Sequence, residues 1–110
     1  MKIKIQSSEI SFEELAQQYP DSIAAIPKSY GLSGDVLFQV IVMASIEIIK
    51  IIAEFLIEKQ KEKKDIKQKE KNSEIKILLP SGANVSIVIN CWDTKETLAR
   101  RMQDAIGPVN

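Results

Sequence analysis

The chain has 110 residues, 15 basic and 15 acidic side chains, no histidine and one cysteine. That length allows one domain, or one domain plus an arm, and 45% hydrophobic residues argue against a largely disordered chain. Zero net charge removes a global reason to expect a nucleic-acid partner, the missing histidine removes the commonest general base and metal ligand, and the lone Cys91 excludes an intrachain disulfide or a cysteine-built zinc site.

Met1 to Gln6 alternates apolar with polar residues, placing Ile3 and Ile5 on one face of a short strand. No apolar stretch of signal-peptide type follows, so secretion is not indicated. Ser11 and Glu14 have the spacing of a capping box, and Ile10 and Leu15 that of a hydrophobic staple, predicting a helix from about Phe12 to Tyr19 that Pro20 stops. Asp21 to Ser33 has no sustained period and reads as a packed turn or one helical turn, then loop.

Asp35 is a plausible N-cap for a long hydrophobic helix. At 100° per residue, Glu47, Lys50, Glu54 and Glu58 fall on one side, and Leu37, Ile41, Ile48, Ile52 and Phe55 on the other. The apolar arc is wider than one supporting sheet requires, so burial by a second protomer or another protein is expected. Val36 to Ile57 is also long enough to span a bilayer, although Glu47, Lys50 and Glu54 are costly there. The carboxylate spacing would suit a metal or proton transfer, but Lys50 sits within one turn of Glu47 and Glu54, and an ion-paired, solvated stripe is the simpler account. Gly31 to Asp35 lacks the Lys-Ser/Thr ending of a phosphate loop.

From Lys59 to Lys71 seven lysines stand against three acids, whereas the first 58 residues are net acidic. This tract reads as a helical continuation or a linker. Lys59, Lys61, Lys63, Lys64 and Lys67 are candidate anion contacts, without the arginines or aromatics that base readout or stacking uses. Glu74 to Leu79 and Val85 to Ile89 alternate as two strands around a Pro80–Asn84 turn and predict an antiparallel hairpin. Asp93, with Glu96 three residues on, is read as the cap of a final helix that Gly107-Pro108 ends. Without histidine, Cys91 lacks the usual activator and is read as a strand-end residue beside Trp92.

Gly34-Asp35-Val36-Leu37 opening an apolar helix that ends in a charged segment, then Glu74 to Val85 with a Pro80-x-Gly82 turn, then Thr94-Lys95-Glu96-Thr97-Leu98, together resemble the effector-associated constant component family of bacterial conflict systems. The resemblance covers about residues 34–106 and is architectural plus a short turn motif. It implies a non-enzymatic companion of proteases, NTPases or other effectors, and supplies no catalytic residue.

The expected fold is α+β: a small two- or three-stranded antiparallel sheet, a C-terminal helix and a long hydrophobic central helix. Residues 1–33, 34–71 and 72–110 are its three segments, within one domain. The expected function is protein–protein interaction as a cytoplasmic accessory module, with no cofactor or metal and with a homo-oligomer or a protein as partner. The alternative is a membrane-associated protein anchored by residues 36–57. The expected interface residues are Leu37, Ile41, Ile48, Ile52 and Phe55.

Overall fold

The computed structural model describes residues 1–30, 36–64, 73–90 and 92–107. Its elements are β1 (Lys2–Ser7), α1 (Glu13–Gln18), β2 (Ile23–Tyr30), β3 (Val36–Met43), α2 (Ile46–Lys64), β4 (Ser73–Leu78), β5 (Asn84–Ile89) and α3 (Lys95–Ile106). The strands form one five-stranded antiparallel sheet in the order β2-β3-β1-β4-β5. This corrects the expected two- or three-stranded sheet. The N-terminal strand, expected as a third strand beside one hairpin, is the centre of the sheet, with a strand pair on either side.

The topology explains the central helix. Both β3 and β4 run antiparallel to β1, so they run parallel to each other. A parallel pair needs a connection that travels back along the sheet, and α2 supplies it. β1 and β2 are likewise parallel, with β3 between them, and residues 8–22, which include α1, make that second return; the β4–β5 turn is short.

One face of the sheet is buried. Ile3 and Ile5 of β1, Val40 and Val42 of β3, Ile75 and Ile77 of β4, and Ile87 and Ile89 of β5 alternate onto it. Ile49, Ile52, Ala53 and Leu56 of α2 and Leu98 and Met102 of α3 are buried in the same core. Phe12, just before α1, tilts against Phe55 of α2 with ring centroids 6.2 Å apart.

Two segments differ from their sequence reading. Val36–Met43, expected to begin the long helix, is the strand β3. Its sequence is apolar on both faces, so no period separates strand from helix. Pairing decides it: Ile3 lies opposite Val42 and Ile5 opposite Val40. The helix starts ten residues later at Ile46, where the Ser45 hydroxyl accepts from Ile48 N–H at 3.2 Å. Residues 21–33, expected to be turn and loop, contain β2, with an irregular register between Ile26 and Ser29. Pro27 is tolerated because β2 is an edge strand. Asp35, the expected helix cap, lies outside the described residues.

Two caps also differ. Helix α1 is preceded by Phe12 at its N-cap, the Ser11 hydroxyl one residue earlier accepts from Glu13 N–H at 3.4 Å, and Glu14, instead of closing a capping box, meets Lys59 of α2 at 3.1 Å. The cap of α3 is Thr94, not Asp93: its hydroxyl accepts from Thr97 N–H, and the Thr97 hydroxyl accepts from Thr94 N–H at 2.9 Å. Local hydroxyls do similar work elsewhere. Ser7 Oγ accepts from the N–H groups of Glu9 and Ile10 and turns the chain out of β1. Ser73 donates to Glu9 and ties this turn to β4. Among the described residues, Gln60 Oε1 is buried without a partner.

In the hairpin turn Gly82 has φ of +93° and donates its N–H to the Leu79 carbonyl. A side chain there would meet no atom within 4 Å, so the penalty is conformational alone. Gly82→Ala should cost about 1 kcal/mol, read as a lowered urea midpoint with unchanged slope.

Candidate functional site: the uncovered sheet face

Among the described residues, all three helices pack on the buried side of the sheet, and the opposite face carries no helix. Leu37, Gln39, Ile41 and Met43 of β3 alternate onto this second face, as do Lys2, Lys4 and Gln6 of β1 and Glu74, Lys76 and Leu78 of β4. Ile41 is 38% exposed and Met43 44%. The register sets Lys4 directly opposite Ile41 and Lys2 directly opposite Met43. Gln6 donates to Gln39 across the same two strands at 3.0 Å. On β5, Val88 opposes Glu74 and is 40% exposed.

This face therefore pairs exposed apolar side chains with ammonium groups one strand away. A lysine stem covers some apolar area while its charge stays hydrated. Such a surface is chemically complementary to apolar groups and carboxylates presented together.

The expected interface residues do not share a surface. Leu37 and Ile41 lie on the uncovered face. Ile48 is half-buried and packs against the core, and Ile52 and Phe55 are buried in it. They were grouped by a helical period that begins too early. Met43, Lys2, Lys4 and Lys76, absent from that expected set, belong to the face. The alternation of Met1 to Gln6 was a signal for two of them.

The candidate anion contacts are also divided. Lys59 Nζ is held by Glu14 and lies 5.5 Å from the Phe55 ring centroid. Lys61 is exposed near the end of α2. Lys63 and Lys64 fall on its last turn, and Lys67 lies outside the described residues. The glutamate stripe is solvent-facing: Glu47, Lys50, Glu54 and Glu58 are all exposed. Lys50 and Glu54 line a groove with Lys95, Glu96, Arg100 and Gln103 of α3, so its walls carry both signs of charge. Among the described residues no three His, Cys, Asp or Glu side chains come together as a metal site. Cys91 lies outside those residues.

The turn after β5 is held more firmly. Asp93 accepts from Asn90 N–H at 2.7 Å and from the Thr97 hydroxyl at 3.1 Å, and it pairs with Arg101. Arg101 also donates to the Val88 carbonyl at 2.9 Å. Trp92, 73% exposed, is displayed on this braced turn.

No helix among the described residues is long and apolar enough to cross a membrane. The segment 36–57, expected in one reading to be a helical anchor, is divided between β3 and α2. No family model, curated protein or solved structure matches the chain.

Proposed function

We propose that the protein is a non-enzymatic, cytoplasmic interaction module whose uncovered sheet face docks an acidic, apolar-rich segment of a protein partner. The observation that carries this reading is the cross-strand pairing of exposed Ile41 and Met43 with Lys4 and Lys2. Apolar contact supplies the attraction, and the lysines select carboxylates and steer their approach. The resemblance to effector-associated constant components points the reading to a companion of an effector in a bacterial conflict system.

The test is co-expression with the products of the genes that flank this chain's own, among which the reading expects an effector. The wild-type protein should co-purify with it. Ile41→Glu and the pair Lys2→Glu/Lys4→Glu should each lose the complex, with circular dichroism and melting temperature close to wild type because all three positions face solvent. Retention of the complex by both variants refutes the proposal.

A further inference from the structure

The two edges of the sheet are protected unequally. In β2, Pro27 lacks a donor and the register is irregular between Ile26 and Ser29. These features obstruct strand addition. The other edge, β5, is Asn-Val-Ser-Ile-Val-Ile, with no proline, no charge and no irregularity in its register with β4.

The hydrogen-bond phase shows which β5 groups point outward. Leu79 N–H donates to the Ala83 carbonyl at 2.9 Å, so this opposed pair is hydrogen-bonded. In an antiparallel ladder such pairs alternate. Ile77 with Val85, Ile75 with Ile87 and Ser73 with Ile89 are therefore the bonded pairs. The N–H and C=O groups of Asn84, Ser86 and Val88 point away from β4. The Arg101 contact agrees, since it reaches the Val88 carbonyl from outside the ladder. Arg101 is the one guard of this edge among the described residues, and its side chain is 38% exposed.

We infer that β5 is a dimerisation edge, pairing antiparallel with β5 of a second copy about a twofold axis at Ser86. In that register Ser86 faces Ser86 of the other copy, and Asn84 faces Val88. Every outward backbone group of the three residues then finds a partner. Val85 faces Ile87 on the core side, forming apolar cross-strand pairs. The occupant is a second copy because isologous pairing sets a strand against itself, and a strand without charge does so without repulsion. Arg101 gives up the Val88 carbonyl to a backbone N–H and keeps Asp93. The two sheets become one, and the two uncovered faces lie on the same side of it.

This inference stands apart from the partner reading above, because it concerns the purified chain alone. Light scattering across a concentration series should show a monomer–dimer equilibrium for the wild-type protein. Ser86→Lys brings two ammonium groups together at the axis and should raise the dimer dissociation constant about tenfold. Ser86 is exposed, so the monomer fold should persist by circular dichroism. Mixing Ser86→Lys with Ser86→Glu should restore a dimer containing one of each. A wild-type protein that stays monomeric throughout, or a Ser86→Lys variant that dimerises as well as wild type, overturns the inference. The Ile41→Glu variant should dimerise normally, which separates failure here from failure of the partner reading.

Discussion

Ile52→Asp should abolish cooperative folding. Ile52 lies on the inner face of α2 with no exposed surface, within the core formed by the sheet and α3. Truncating such a side chain to alanine costs about 2–5 kcal/mol in transfer and cavity terms. Aspartate adds the burial of a carboxyl group without a prepared partner, worth several kcal/mol more whether it ionises or takes up a proton. The sum reaches the whole margin of a small domain, about 5–15 kcal/mol. Ile52→Ala should therefore give a two-state urea transition with a clearly lowered midpoint, and Ile52→Asp no cooperative transition at 25 °C. A cooperative, near-wild-type melt of the aspartate variant would show that α2 does not pack on the sheet through this face.

Asp93→Ala should have the next largest effect, about 2–4 kcal/mol, although the residue lies in a turn. Its side chain is 6% exposed and joins Asn90 N–H, the Thr97 hydroxyl and Arg101. Removing it leaves a backbone donor unpaired and loosens the braced start of α3. The ion-pair share is discounted because Arg101 is partly exposed and can rehydrate. Asp93→Asn keeps an acceptor for Asn90 and should lose less. The only tryptophan of the chain, Trp92, sits beside Asp93 and reports the change through its fluorescence. Equal urea midpoints for wild type and Asp93→Ala would contradict this account. The Lys59–Glu14 pair, with side chains 31% and 63% exposed, contributes only about 0–1 kcal/mol.

The two variants separate features that the sequence displayed to different degrees. Ile52 was legible as apolar and helical, but its role was read as an intermolecular contact. The excess apolar surface behind that reading came from treating Val36–Met43 as helix. With those residues in β3, the remaining helix has an ordinary buried side and an exposed Glu47, Lys50, Glu54, Glu58 stripe. Asp93 was legible as a residue at the start of α3. Its bond to Arg101 was not, because eight residues of helix geometry and the end of β5 had to be in place first.

The candidate face was legible only in fragments. Lys2 and Lys4 were visible as the polar side of a short strand. Their neighbours Met43 and Ile41 lie far away in sequence, and register alone brings them together.

The sequence by itself determined the features that close within a few residues: the alternation of β1, the Pro80–Asn84 hairpin, the Ile-rich face of β4 and β5, and the extent and stop of α3. Their physics is local, set by turn residues, side-chain period and capping hydroxyls. Tertiary structure decided that Val36–Met43 is a strand, that Pro27 stands in an edge strand, and that the helices among the described residues all cover the same face of the sheet. Those outcomes depend on pairing with β1. An apolar segment without a period takes the conformation that satisfies its backbone groups against a strand over thirty residues away.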